Sequence, residues 1–262
     1  SHVLAFFAQS DGIVCDNLGE RFSQEVQYRE AKFFYDLQKM MENVHNEVYS
    51  SMIETLIVDS DEKDRLFRAM ETIPCVQKKA DWAKKWIVSE DDFASRLIAF
   101  AVVEGIFFSG SFCAIFYMKK RGLLPGLCAN NTLIARDEGM HQEFAAHLYK
   151  HHIVNKIPES KVHQIVGEAV DFETEFICSA LPVSLIGMDN VQMTSYIKFV
   201  ADRLLQQLGV TSLYGESNPF PWMQLLGLEN KTNFFESRVT EYQKANVRST
   251  SESHTFSTDA DF

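Results

Sequence analysis

The amino-acid sequence predicts an all-α fold with a four-helix bundle core and additional helices. Apolar residues recur at steps of three and four along most of the chain, which is the period of a helix with one buried face. Only 6 Pro and 12 Gly interrupt the 262 residues, and no stretch alternates apolar and polar residues as a half-buried strand would. In addition, acidic residues lie within apolar segments, which points to a polar centre inside the bundle.

The first long periodic segment covers residues 33–56. Its apolar residues at helical spacing are Phe34, Leu37, Met41, Val44, Val48, Met52 and Leu56. The same period returns over 133–148, 162–170 and 197–208, and Gly209 follows the last segment in a common helix-ending position. We expect a helix over each of these segments, with the apolar residues facing the core.

The segment 97–118 is almost entirely apolar and is long enough to cross a bilayer. However, Glu104 lies within it, and a carboxylate at the centre of a membrane costs roughly 2.5–3.5 kcal/mol on insertion scales. The segment is further diluted by Gly105, Ser109, Gly110 and Ser111. We therefore interpret it as a fully buried helix and expect no membrane association.

Charge and cysteine content exclude several classes of protein. A formal net charge of −11 offers no basic surface for nucleic acid. The five cysteines are widely spaced and form no Cys-x-x-Cys pair, which favours reduced thiols in a cytoplasmic protein over a zinc knuckle or a disulfide framework. Ser1 opens directly into an apolar run without a basic start, so we expect no signal peptide and an N-terminally truncated chain.

The composition changes near the C-terminus, which divides the chain into a helical domain over 1–243 and a tail over 244–262. The tail is rich in Ser and Thr and has too few apolar residues to offset the entropy of ordering it. It ends in aromatic and acidic residues, namely Phe256, Asp259, Asp261 and Phe262. This composition predicts a disordered docking peptide, and a frayed terminus is the alternative.

Two Glu-x-x-His motifs carry the chemistry, Glu42/His45 and Glu138/His141. Residues three apart lie on one helix face, one turn apart, so each pair can bind one metal ion. On the helical wheel of the first segment, Glu42, His45 and Tyr49 fall within the apolar arc. A buried carboxylate without a partner is costly, and a metal ion would compensate for that cost.

Two further acids lie in apolar surroundings: Glu104 within the most apolar helix, and Asp11 at the end of the apolar run 3–8. One such Glu-x-x-His motif is usually a solvated surface pair, and Glu104 alone is more often a member of a buried ion pair. Together, the two motifs and two further carboxylates form the pattern of ferritin-like di-iron and di-manganese carboxylate bundles. The sequence has no glycine-rich phosphate loop and no nucleophile elbow.

Several longer segments extend this pattern along the whole chain. They are FSQEVQ (22–27), ENVHNEVY (42–49), VEGIFFSGSF (103–112), RDEGMH (136–141), LIGM (185–188) and KTNFF (231–235). With these segments, the chain resembles the small, radical-generating subunit of eukaryotic-type class I ribonucleotide reductases. The resemblance implies an oxidoreductase subunit that binds two iron ions, uses O2 as oxidant and generates a tyrosyl radical for ribonucleotide reduction in deoxyribonucleotide biosynthesis.

The resemblance also implies roles for individual residues. The ligands of one iron would be Asp11, Glu42 and His45, and those of the other Glu104, Glu138 and His141, with carboxylates bridging. Tyr49 would carry the radical, shielded by an apolar pocket of Phe108, Phe112 and Ile134. The residue types alone leave manganese open, because carboxylate and imidazole ligands suit both metals.

Radical transfer and partner binding are implied in the same way. Asp137 would hold His45 and, with Tyr242, would lie on the path to a cysteine of a large catalytic subunit, to which the C-terminal tail would dock. A homodimer is also implied. The family's path includes a tryptophan that would precede Ser1, and Trp82, Trp86 and Trp222 do not match it.

Two other functions use a similar bundle. A ferritin-like iron-binding or storage protein would keep the carboxylates and histidines without needing Tyr49 or a tail tipped with Phe. A di-iron oxygenase without a radical partner would need a substrate cavity beside the metals.

Overall fold

A computed structural model describes residues 2–180 and 187–223, apart from the side chains of His2, Gln9, Asp11 and Glu20. Every regular element within these ranges is helical, as predicted. The α-helices are α1 (His2–Asn17), α2 (Ser23–Glu25), α3 (Arg29–Leu56), α4 (Ser60–Phe67), α5 (Ala69–Thr72), α6 (Pro74–Ile87), α7 (Phe93–Val102), α8 (Ser109–Lys120), α9 (Pro125–His151), α10 (Glu159–Ala180) and α11 (Asn190–Leu208). Two π-helical turns are π1 (Leu18–Phe22) and π2 (Val103–Phe107).

The long helices pack side by side around one apolar core. Helix α1 lies along α3, α3 also contacts α9, and α9 packs against α7, π2 and α8. Helices α6, α10 and α11 cover this group, with α10 in contact with α6, α7 and α11. The acidic residues singled out in the sequence therefore lie on helices that are neighbours in space.

The buried face of α3 differs from the predicted apolar stripe. Of that stripe, Leu37 and Val44 are 45% and 54% exposed. The buried residues are Ala31, Tyr35, Gln38, Glu42, His45, Tyr49, Met52 and Ile53. Polar side chains take the inner face because they meet polar side chains of other helices, and this leaves several apolar residues outside.

The apolar segment 97–118 forms a buried helix, as expected, but the helix is interrupted. It consists of α7, π2 and α8, with Phe108 outside the regular helices between π2 and α8. By length and hydropathy Phe93–Lys120 could cross a membrane, yet 94% of its most apolar window is buried among the other helices. A core helix of a globular protein gives the same result.

The remaining predicted helices are confirmed as α9, α10 and α11. Helix α11 begins with a capping box between Asp189 and Gln192 and ends at Gly209, whose φ of 79° suits a residue without a Cβ. The five cysteines all lie within the described residues, and none of them forms a disulfide there.

Candidate metal centre and radical site

Five of the predicted ligands come together from three parts of the chain. Helix α3 supplies Glu42 and His45, π2 supplies Glu104, and α9 supplies Glu138 and His141. All five side chains are buried. Donor atoms of Glu42, Glu104, Glu138 and His141 lie within 4.8 Å of one another. This is a buried carboxylate and histidine cluster with the composition and spacing of a metal site.

Two of the carboxylates lie between the two imidazoles. Glu42 is 3.4 Å from His45 Nδ1 and 2.9 Å from His141 Nδ1. Glu138 is 3.0 Å from His45 Nδ1 and 3.5 Å from His141 Nδ1. Glu104 approaches His141 Nδ1 alone, at 3.8 Å. Glu42 and Glu138 therefore lie between the two imidazoles, and these four side chains would be able to hold metal ions.

Several buried donor atoms in this cluster have no hydrogen-bond partner among the described residues. They are both carboxylate oxygens of Glu42, Oε2 of Glu104, Oε2 of Glu138, Nδ1 of His45 and both ring nitrogens of His141. The contacts between the carboxylates and the imidazoles are ion-pair contacts of 2.9–3.8 Å. Buried polar atoms without partners are costly, and bound metal ions would supply the missing partners. The residues of the cluster therefore fit a metal site.

The electrostatics indicate which groups carry protons when no metal is bound. Burial lowers the pKa of both imidazoles, but contacts with carboxylates outweigh burial and raise the pKa of His45 and of His141 to about 12. Burial and the charges of Glu138 and Glu42 raise the pKa of Glu104 well above its usual value. For Glu138, the contacts with Glu104 and the two imidazoles outweigh burial and lower the pKa. Metal ions would replace the protons on Glu104 and the two histidines.

Two neighbouring polar residues hold the cluster from outside. Asp137 Oδ2 lies 3.2 Å from His45 Nε2, which is the contact predicted from the sequence. Gln38 donates a hydrogen bond of 2.8 Å to Glu104 Oε1, and sequence reasoning missed it. The available signal was its spacing, because Gln38 lies one turn before Glu42 on the same helix face.

Tyr49 is fully buried, one turn beyond His45. Its hydroxyl donates a hydrogen bond of 3.1 Å to Oδ1 of Asn131, a second residue that sequence reasoning missed. The ring of Phe7 stacks on the Tyr49 ring, with centroids 4.4 Å apart and planes 3° apart. Phe7 in turn contacts Phe108 and Phe112, at centroid distances of 5.4 and 4.9 Å. The predicted pocket residues Phe108, Phe112 and Ile134 are all buried.

Some predicted site residues lie outside the part of the chain that the structure describes. The backbone of Asp11 belongs to α1, but its side chain is outside the described set. Tyr242 and the tail residues Phe256, Asp259, Asp261 and Phe262 lie wholly outside it. Their roles stay predictions.

A cleft with a volume of about 540 Å³ reaches the cluster from one side. Glu104 and Glu138 of the cluster are among its lining residues, together with Phe112, Tyr196 and Arg203. The cleft therefore borders two of the predicted metal ligands.

Comparisons with known proteins identify the family. The family model for the ribonucleotide reductase small chain matches residues 1–219. The chain belongs to the ribonucleotide reductase small-chain family. It is 59% identical over 262 residues to the ribonucleoside-diphosphate reductase small chain of Trypanosoma brucei brucei, with 100% of this chain and 78% of the relative covered. The small chain of Nicotiana tabacum is 58% identical over 266 residues, with coverage of 100% and 80%.

A solved structure of the same family has the same fold. The Rnr4 homodimer of the Saccharomyces cerevisiae ribonucleotide reductase matches with a TM-score of 0.76 and 35% identity, covering 88% of this chain and 74% of that chain. The fold is therefore the ferritin-like fold of ribonucleotide reductase small chains, and the chain is an oxidoreductase subunit with a buried metal-binding cluster.

Proposed function

We propose that this small chain binds two iron ions and uses O2 to generate a tyrosyl radical on Tyr49, which a large subunit then uses to reduce ribonucleoside diphosphates. The observation that carries the proposal is the position of Tyr49. It is fully buried among aromatic rings, one helical turn beyond His45 of the metal cluster. A storage protein has no use for such a tyrosine.

The proposed ligands are Asp11, Glu42 and His45 for one ion and Glu104, Glu138 and His141 for the other. Glu42 and Glu138 would bridge, because each approaches both imidazoles. When bound, two iron ions would supply the one-electron oxidation by O2 that Tyr49 requires. Carboxylate and imidazole donors also suit manganese, so the choice of iron rests on the family resemblance.

The surrounding residues protect and orient the tyrosine. Phe7 covers one face of its ring, and Phe108 and Phe112 extend the aromatic layer behind Phe7. Because these rings exclude water and soluble reductants, a phenoxyl radical formed there would persist. Asn131 holds the phenol oxygen at a fixed position through its hydrogen bond.

The radical would be passed from Tyr49 toward the large subunit by way of His45 and Asp137. Asp137 lies against His45 Nε2, on the side of the ring away from the carboxylates, and is only 14% exposed. It can therefore hold the imidazole orientation and connect the metal cluster with the surface. Tyr242 and the tail with Phe256, Asp259, Asp261 and Phe262 would complete the connection to a large subunit.

We further propose that the chain forms a homodimer through α3 and α9. Phe33, Leu37, Met40 and Val44 lie at steps of three and four on α3 and are exposed by 45–59%. Leu133 and Met140 continue the exposed apolar surface on α9. Apolar patches of this extent mark protein interfaces, and the yeast relative of similar fold is described as a homodimer.

The proposal is tested by adding Fe(II) and O2 to the purified chain and recording iron content and the electron paramagnetic resonance spectrum. We expect about two iron ions per chain and a tyrosyl radical that is absent from Tyr49→Phe, which keeps its iron. Tyr35→Phe is the matched control, because Tyr35 is also fully buried on α3. Iron uptake far above this ratio, or a radical that survives in Tyr49→Phe, would contradict the proposal.

A further inference from the structure

A buried ion pair lies outside the metal cluster and has no part in the function proposed above. Lys79 on α6 and Glu173 on α10 are both fully buried, with Nζ and Oε2 2.5 Å apart. Neither helix contributes a proposed ligand. Burial lowers the pKa of Lys79 to about 8 and raises that of Glu173 to about 7, while their mutual attraction opposes both changes. A buried ion pair rarely makes a protein more stable than apolar residues of similar volume would, so stability alone does not explain why Lys79 and Glu173 are present.

The pair contacts the backbone on both sides of the interruption between π2 and α8. Lys79 Nζ donates a hydrogen bond of 2.7 Å to the carbonyl of Phe107, the last residue of π2. The amide of Gly110, in the first turn of α8, donates one of 3.0 Å to Glu173 Oε1. A carboxylate at a helix N-terminus is also favoured by the helix dipole. One ion pair therefore anchors both ends of the interruption.

Gly110 allows this contact because it has no side chain. A Cβ atom at this position would lie 2.3 Å from Cγ1 of Ile177 and 2.7 Å from Oε1 of Glu173. A side chain at residue 110 would force the side chains of Ile177 and Glu173 to move, and the carboxylate would lose its present position at the amide. The close approach and the ion pair are thus parts of one arrangement.

The interruption separates two functional parts of the same long helix. Glu104 lies within π2 on one side, Phe108 of the aromatic pocket lies at the interruption, and Phe112 lies beyond it in α8. The ammonium of Lys79 also lies 3.4 Å from the ring centroid of Phe6. Phe6 contacts both Phe7, which stacks on Tyr49, and Phe108. The ion pair therefore contacts the backbone of the helix that carries Glu104 and, through Phe6, the aromatic pocket.

We propose that Lys79 and Glu173 are positioning residues for radical formation, which fix the interrupted helix so that Glu104 and the phenylalanine pocket keep their relation to Tyr49. This inference rests on the proposed function, because it assigns Glu104 and Tyr49 the roles given above. The pair touches neither the proposed metal site nor the tyrosine. Its effect is transmitted through the backbone at Phe107 and Gly110 and through the ring of Phe6.

The test replaces the pair by apolar residues in the double variant Lys79→Met with Glu173→Leu. Substituting both partners of a buried pair commonly leaves stability unchanged, so folding is expected to persist and is checked by circular dichroism. A misplacement on the order of 1 Å can cost about 10²-fold in rate. We expect about ten-fold or greater loss in radical per bound iron or in radical lifetime, with an altered hyperfine pattern in the resonance spectrum.

The matched control is Lys78→Met with Glu175→Leu. These residues form a 2.6 Å ion pair between the same two helices but are about half exposed. We expect wild-type radical yield, lifetime and line shape from this control. The double variant at 79 and 173 overturns the inference if it folds, binds iron and gives a radical identical to that of the wild type.

Two single variants keep the test decisive if the double variant does not fold. Gly110→Ala displaces the side chains of Ile177 and Glu173 without changing any charge and should reproduce the radical loss. Glu173→Gln keeps one of the two accepting oxygens, so it can hold either Lys79 or Gly110 but not both as in the wild type, and should lose part of the radical. Wild-type radical from Gly110→Ala would overturn the inference. Failure of the wild type itself to form a radical would instead refute the proposed function.

Discussion

The hydroxyl of Tyr49 donates a hydrogen bond to Oδ1 of Asn131 at 3.1 Å, and both side chains are fully buried. Nδ2 of Asn131 has no hydrogen-bond partner among the described residues, so the amide gains little stability from its burial. The contact with the phenol oxygen is thus the main interaction that accounts for a polar residue at this position of α9.

We predict that Asn131→Leu changes the radical without unfolding the protein. Leucine has nearly the same volume and removes the unpartnered Nδ2 donor, but it also removes the acceptor of the buried Tyr49 hydroxyl, so the free energy of unfolding should fall by no more than about 3 kcal/mol. The phenoxyl oxygen of the radical has no proton to donate, so Asn131 acts on it through the dipole of its amide. Removing that dipole should shift the g values of the tyrosyl radical in high-field electron paramagnetic resonance. Asn130→Leu, at the adjacent position, is the control. Unchanged g values in Asn131→Leu would contradict the prediction.

A second prediction concerns Gln38, which donates to Glu104 Oε1. Gln38→Leu removes the hydrogen bond that orients this carboxylate, and losses of such supporting contacts typically weaken metal binding about 10- to 100-fold. Competition of Mn(II) binding against a chelator measures the effect without oxidation chemistry. Gln77→Leu on α6, at an exposed position, should bind Mn(II) as the wild type does. Equal affinities of Gln38→Leu and the wild type would exclude the orienting role.

The protonation of the two histidines predicts how stability and metal binding depend on pH. In the metal-free protein the pKa of His45 and of His141 is raised to about 12, above the ordinary value of 6.5. The native state therefore retains protons that the unfolded chain releases above about pH 6.5. The resulting stabilisation is complete below that pH and is lost progressively as pH rises toward the folded pKa.

Denaturant titrations of the metal-free chain should accordingly show a lower free energy of unfolding as pH rises from about 6.5 to 9. Mn(II) binding should tighten over the same interval and release protons, because the metal replaces them. Calorimetry in buffers of different ionisation enthalpy measures this release. Binding without proton release at neutral pH would show that the metal enters a different site.

The exposed stripe on α3 predicts a monomeric variant. Met40→Asp combined with Val44→Asp places two charges in the proposed interface, and we expect the dimer to dissociate in sedimentation experiments while helix content is retained. Val191→Asp is the control, since Val191 is 76% exposed and lies on α11, away from α3 and α9 in the chain. If the double variant remains a dimer, the interface does not include this surface of α3, and the prediction is wrong.

Much of the site could be predicted from residue spacing. Helical periodicity located α9, α10 and α11, and the three-residue spacing of Glu42/His45 and Glu138/His141 placed each pair on one helix face. These inferences succeeded because they depend only on geometry within one helix. The approach of the two motifs to each other followed from the cost of burying their charges.

Relations between helices were harder to predict. The helical spacing of apolar residues on α3 predicted that Leu37 and Val44 lie in the core. Both are exposed, because this helix buries its polar residues instead. Lys79 follows Lys78 in a segment typical of a solvated helix surface, and its partner is 94 residues away. Its place between Val76 and Ala83, on the buried face of α6, was the only signal in the sequence.

The π turn at Val103–Phe107 has a consequence for how this family can vary. A turn closed by bonds five residues apart holds one residue more than an α-helical turn. Deleting one residue there, for example Gly105, would let the turn close as an α-helical one while the helix on either side keeps its orientation. Glu104 lies within that turn, so the deletion would move its carboxylate relative to His141 even though the helix becomes more regular.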